Sequence, residues 1–274
     1  MSPTISNNID SKSYVIITCG DDVNPEIDRI ELRTEPPTFI ELKPGENVLT
    51  IEEYPDLKYG FRIFYRRDKR GLADAYPNQR IIGIDLSNFD GSEMTIMDGM
   101  FEGLVNLQSL NLLNLNTTNV ISMESAFAGI NLPETTKLTF STLNVKNMKR
   151  MFCGAEISEL DLSSFNVMNV EDFEEMFASS EINKLILDGW NFRESVNLYL
   201  IFECIHLDEN FKLSLKGCNE RTILDICNQL VNTVHDEFAD EEDDYVFNDL
   251  SQQVILDNNM MVNIDPEGEI ELLK

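Results

Sequence analysis

Histidine is almost missing from this chain. Only His206 and His235 occur, and neither stands in an HxxxH or HExxH arrangement. That excludes the common histidine-based zinc signatures. No GxSxG, Walker or GxGxxG motif occurs either, so nucleophile elbows, phosphate loops and dinucleotide folds have no sequence support. Paired cysteines are also lacking. The five thiols (Cys19, Cys153, Cys204, Cys218 and Cys227) are odd in number and show no CxxC spacing. This speaks against a disulfide framework and favours reduced thiols that pack as small apolar fillers. No apolar run approaches the ~20 residues that span a bilayer. The polar start, Met1 to Lys12, has no apolar h-region, and a cytoplasmic location is the expectation. With no base-plus-nucleophile arrangement in view, the reading is non-enzymatic, without catalytic residue, metal or cofactor.

Positive charge is the other shortage. Lys and Arg number 21 against 49 acids, for a net charge of −28. Residues 220–274 alone carry a net −13, and seven acids stand in the nine residues Asp236 to Asp244. Such an excess disfavours direct contact with nucleic acid or an anionic membrane, both polyanions. The acidic run reads as a solvated loop; it lacks the spacing of an EF-hand. A basic cluster (Arg62, Arg66, Arg67, Lys69 and Arg70) is the one countercurrent, and it reads as a charged strand end and turn.

What is present in abundance is repetition. Phe101, Phe127, Phe152, Phe177 and Phe202 follow one another at intervals of 26, 25, 25 and 25. A fixed period in this range marks stacked supersecondary units. Alignment on these residues brings Met97, Met123, Met148, Phe173 and Leu198 into one row, four positions earlier. Apolar residues three and four apart predict a short helix in each unit. Alternating pairs (Ile84/Leu86, Leu110/Leu112, Leu138/Phe140, Leu160/Leu162 and Leu185/Leu187) predict one short strand per unit. The third unit is irregular in this alignment, with a short interval from Leu143 to Phe152 offset by a longer one before Leu138. Asparagines recur in the turns (Asn119, Asn144, Asn147, Asn166, Asn169 and Asn191), where their side chains can serve backbone groups that no ladder reaches.

The expected architecture is an α/β, leucine-rich-repeat-like solenoid: a parallel sheet on one side and short helices on the other. Residues 81–218 hold about five to six units. Residues 1–80 contain short β-rich runs separated by Pro and Gly turns, a small N-terminal β domain or cap. Residues 219–274 form an acidic C-terminal cap, opened by a helix over 219–236 with Ile223, Ile226, Cys227, Leu230 and Val231 on one face.

The unit LDLSSFNVMNVEDFEEMF (Leu160 to Phe177) resembles the BspA-like class of bacterial surface-protein leucine-rich repeats, as do IDLSNFDGSEMTIMDGMF (Ile84 to Phe101) and the NTTNVISMESAF stretch. The resemblance implies a repeat fold and a binding role, with a secreted or surface-anchored adhesin as the alternative setting. From the pattern itself, the residues alternating with the buried pairs should face outward as a polar strip. Asp85, Asn111, Thr139, Asp161, Lys184 and Ile186 are the candidate binding residues, and a protein is the expected partner. The charge also admits a second class, an acidic inhibitor or DNA mimic directed at a nucleic-acid-binding protein.

Overall fold

The computed structural model describes residues 13–23, 28–63, 80–134, 136–207, 210–237, 251–257, 260–265 and 268–273; of the side chains of 234–237 nothing is said. Asp236 and Glu237, expected in the acidic loop, are helical instead; the run from residue 238 onward and Arg66 to Arg70 of the basic cluster lie outside the described residues.

The repeats wind into a β-solenoid. Strands β6 (Ile81–Asp85) and β7 (Ser109–Asn111) pair in parallel, Ile84 opposite Leu110. Further along, β8 (Glu156–Asp161), β9 (Glu181–Ile186) and β10 (Lys212–Ser214) pair in parallel, with Leu160, Leu185 and Leu213 in one buried row. Each strand adds one row to a core that extends into the next coil, so no coil buries its apolar face alone.

The helical side of the expectation is corrected. None of the segments around the repeating phenylalanines is helical; each is a pair of tight turns. The amides of Met123, Ser125, Phe127 and Gly129 donate across to the next coil, to the carbonyls of Asn147, Lys149, Met151 and Cys153, at 2.8–2.9 Å. The amides of Ala126 and Ala128 donate instead within the coil, to Met123 and Ser125. A residue with positive φ stands at a fixed slot in every coil: Gly99, Ser125, Arg150, Glu175 and Leu200, at 53–60°. A second such row, Gly103, Gly129, Gly154, Ser179 and Cys204, closes the turn. Left-handed residues cannot be part of a right-handed helix. Two successive turns nevertheless place residues i, i+3 and i+4 inward, which is the pattern a helix would give.

The phenylalanine stripe is buried as the period requires. Phe101, Phe127, Phe152, Phe177 and Phe202 are all fully enclosed. Neighbouring ring centroids lie 5.1–6.0 Å apart, and from Phe127 onward the rings stack within 13° of parallel. Trp190, in the row of Phe165, is likewise buried and donates Nε1–H to the Leu162 carbonyl at 3.0 Å.

Both ends are covered. β1 (Tyr14–Cys19) runs antiparallel between β4 (Gly45–Thr50) and β6, so the first coil's sheet continues into N-terminal residues. Beside it, β2 (Arg29–Leu32), β3 (Thr38–Glu41) and β5 (Phe61–Ile63) form an antiparallel sheet. Arg62 of β5 grips Glu31 through two 2.8 Å bonds. At the other end, α1 (Glu220–Glu237) starts beyond Asn219, whose Oδ1 accepts the Thr222 amide at 2.8 Å as an N-cap. Its buried face, Ile223, Ile226, Cys227, Leu230 and Val231, joins the common core, and β11 (Val254–Ile255) adds a strand to β10. The last two strands, β12 (Met261–Ile264) and β13 (Ile270–Leu273), make a hairpin.

The third coil departs from the expected pairing. No strand forms over 138–140, and the solenoid's strands fall into two sheets, one ending at β7 and the other at β8. The register explains why. Phe140 packs on Phe165 at 5.4 Å and stands twelve residues before Phe152, as Phe165 stands before Phe177. Phe140 therefore occupies the aromatic slot, and Leu138/Phe140 is not the strand pair. The positions matching Leu160 and Leu162 hold Thr135 and Lys137, neither of which gains by burial there. Leu138 compensates by turning inward: it is 5% exposed, whereas Leu113, in the same slot one coil earlier, is 63% exposed.

Candidate functional site in the interrupted strand face

The missing strand leaves a cavity. Its volume is about 590 Å³, and it lies between residues 132–134 and 136–139 on one side and the face of β8 with its following turn on the other. A second hollow of about 360 Å³ shares Leu132, Pro133, Glu134, Ile157 and Ser158 and runs on to Glu181 and Asn183 of β9. The floor is apolar, with Leu132, Leu138, Ile157 and Leu160 buried beneath it. The walls are polar and acidic: Glu134, Glu156, Glu159, Asp161 and Glu181, against Lys137. Volume, apolar floor and a few convergent polar groups match what binding pockets show.

Along the groove the backbone pairing of β8 is incomplete. Toward coil 3, the last backbone bond of β8 among the described residues is Glu156 N–H to the Ile130 carbonyl, at 2.9 Å. In addition, the Thr136 hydroxyl, in the cavity wall, is shut off from solvent with no partner among the described residues. A buried hydroxyl left unpaired costs on the order of 1–3 kcal/mol.

The six candidate residues divide. Thr139 and Asp161 line the cavity. Lys184 sits at its margin, where its Nζ meets Glu159 Oε1 at 3.1 Å. Asp85, Asn111 and Ile186 lie elsewhere along the strand face, and Ile186 is half-buried. Three of the six have structural duties. Asp85, Asn111 and Asp161 each accept the backbone amide two residues on, from Ser87, Leu113 and Ser163, at 2.8, 3.1 and 2.9 Å. These are Asx turns that end each strand, so the acidic row is partly scaffold. Gly83, which alternates with the Ile84/Leu86 pair and by that pattern should face outward, is buried, and a Cβ there would meet the Ser109 hydroxyl at 2.7 Å. Sequence reasoning missed Glu134 and Thr136; Lys137 and Glu159 alternate with the apolar pairs and fall in the outward strip, but were not among the six candidates. The available signal was Thr135 and Lys137 in the leucine slots of the 25-residue offset.

The asparagine expectation holds in detail. Asn119, Asn144 and Asn169 each donate Nδ2–H to a carbonyl of the preceding coil, Ser92, Thr118 and Leu143, at 2.7–2.8 Å. On the turn side the coils are cross-tied by charge as well: Lys149 to Glu174 at 2.7 Å and Arg150 to Glu175 at 2.6 Å. These pairs hold Glu174 below the usual carboxylate range and raise Lys149 and Arg150. Cys204, expected as a small apolar filler, is exposed and Cys153 is half-buried, whereas the other three thiols are quiet. Burial pushes Cys19 and Cys227 up to about 12, Asp28 adding to the effect at Cys19, and burial pushes Cys218 up to about 11. They stay protonated and non-nucleophilic at neutral pH.

Among the described residues no group of His, Cys, Asp and Glu is placed to hold a metal ion, and no helix is long and apolar enough to cross a membrane. The structure therefore defines a class: a β-solenoid repeat protein with covered ends and one interrupted coil. A family model described as "Mycoplasma protein of unknown function, DUF285" matches residues 71–190 and again 108–213, more than half of the chain, and the chain belongs to that family. No curated protein and no solved structure matches it.

Proposed function

We propose that this chain is a non-enzymatic protein-binding module, and that its working surface is the strand face centred on the groove at coil 3. The observation that carries this reading is the cavity itself, which opens where the repeat pattern lapses. The stacked coils hold its walls in place, and a pre-organised surface loses less entropy on association. Cations interleave with the carboxylates, as Lys184 does on Glu159 and Arg193 and Lys146 do on Glu171. That mixed surface favours a protein partner over the DNA-mimic alternative, which needs carboxylates at phosphate-like spacing. The repeat units also support placing the chain with the BspA-like leucine-rich repeats, among which binding is the common role.

The test is capture of a partner from an extract of the source organism, with the whole chain as bait. The variant Glu134→Lys/Glu159→Lys reverses the groove walls without touching a turn-capping residue. It should lose the captured protein, while Glu203→Lys, exposed on the turn side, should retain it. Retention by the groove variant and loss by the turn-side variant would move the working surface to the other face.

A further inference from the structure

Resting on that reading, we propose that the groove takes its partner as an added strand: an extended, cationic peptide segment laid along the free edge of β8. The sheet of β8, β9, β10 and β11 ends at β8, and the sheet of β4, β1, β6 and β7 ends at β7. Coil 3 passes between them with one parallel bridge, Asn131 to Glu156, and no strand among its described residues. An unfilled parallel edge offers a row of backbone donors and acceptors at a fixed strand spacing of ~4.8 Å. Solenoid coils normally spend those groups on one another; here, among the described residues, the ladder toward coil 3 stops at Glu156. Peptide recognition by strand addition uses such an edge for affinity and the adjacent side-chain pockets for specificity.

The charges choose the occupant. Glu134, Glu156, Glu159 and Asp161 flank the edge, with Glu181 further along and Lys137 as the one cation among the described residues that line the two hollows. Asp161 spends Oδ1 on the Ser163 amide, and Glu159 accepts Lys184. The carboxylates together still exceed the cations of the site, so a segment bearing Lys or Arg is matched and an acidic one is repelled. The buried floor of Leu132, Leu138, Ile157 and Leu160 suits alternate apolar side chains of the same segment, because an added strand presents successive side chains to opposite faces.

The experiment uses the full chain and a fluorescein-labelled octapeptide in which valine alternates with two lysines and two threonines, followed by anisotropy. The lysine peptide should bind. Replacing its lysines with glutamates should weaken binding by about tenfold or more. Methylating alternate backbone amides, which removes strand pairing and keeps the charge, should abolish it. Thr135→Leu/Lys137→Leu restores the leucine pair of coil 3 and should close the groove and lose the peptide. Should that variant fail to fold, Glu134→Gln/Glu159→Gln keeps the groove and should weaken the lysine peptide by about fivefold. Equal affinity for the methylated peptide, no binding by about 1 mM, or a dimer of this chain that closes the same edge would each overturn strand addition. If the peptide fails while partner capture still depends on Glu134 and Glu159, only strand addition falls, and the protein-binding reading stands.

Discussion

Replacing Phe177 with alanine probes the principle that holds the coils together. Phe177 is fully buried, with Phe152 at 6.0 Å and 8° on one side and Phe202 at 5.6 Å and 11° on the other. A buried phenylalanine truncated to alanine costs ~3–5 kcal/mol through lost transfer energy and the cavity left behind. Each aromatic pair adds ~0.5–1.5 kcal/mol beyond its area. Two stacks are lost at Phe177, so the upper end, about 5 kcal/mol, is the expected cost. Phe202 has one stacking partner among the described residues, so Phe202→Ala should cost about 1 kcal/mol less. Against a total stability of ~5–15 kcal/mol the central loss is severe. It should also uncouple the coils on either side, because each repeat is held by its neighbours. Urea unfolding followed by circular dichroism measures both effects, the second as a lower m-value or a split transition. A loss below about 1 kcal/mol, or a larger cost at Phe202 than at Phe177, would refute the stacked-ring account.

Ser179→Gly should stabilise the chain by about 1 kcal/mol in thermal or urea unfolding, since φ is 55° in a row otherwise held mainly by glycine. Asn169→Ala should cost about 1 kcal/mol by the same measurement, through the lost bond to the Leu143 carbonyl in the preceding coil. Cys204 is exposed and should react first with a thiol reagent at pH 8, while Cys19, Cys218 and Cys227 wait on unfolding. Because burial raises those three thiols, the unfolded chain loses their protons first; stability should decline as pH climbs from about 9 toward 12, and Cys227→Ala should soften that decline. Deleting residues 236–244 should leave the solenoid folded by circular dichroism, because seven acids in nine residues bury little apolar area.

The solenoid was legible because its signal is redundant. Five phenylalanines at one period, four with a buried methionine or phenylalanine beside them and the fifth with half-buried Leu198, specify stacking whatever the local backbone does. The local backbone was not legible from the same residues. Met123, Ala126 and Phe127 point inward at helical spacing, yet Ser125 between them is left-handed. Serine, arginine, glutamate and leucine all hold that slot, and none announces positive φ as glycine would. The glycines at 103, 129 and 154 did mark the second left-handed row, and their 25–26-residue spacing was the available warning that a turn, not a helix, closes each coil.

The groove was hidden for a different reason. Leu138 and Phe140 alternate as well as any other pair in the chain, and alternation alone cannot tell a strand from an aromatic slot preceded by a compensating leucine. The distinction lies in the fixed twelve-residue interval to the repeat phenylalanine, which Phe140 satisfies, and in the polar residues that then fall where leucine belongs. Polar residues in a repeat's core slots cost stability, because neighbouring coils lose apolar area on both sides. Here that cost is joined by a buried Thr136 hydroxyl with no partner among the described residues, two sheets cut short and carboxylates gathered around the gap. A repeat whose only task was to extend the stack would keep its leucines. Departures from local rules that are supported by their surroundings are where binding sites are to be sought, and coil 3 is the one coil in which the described strand face departs from them.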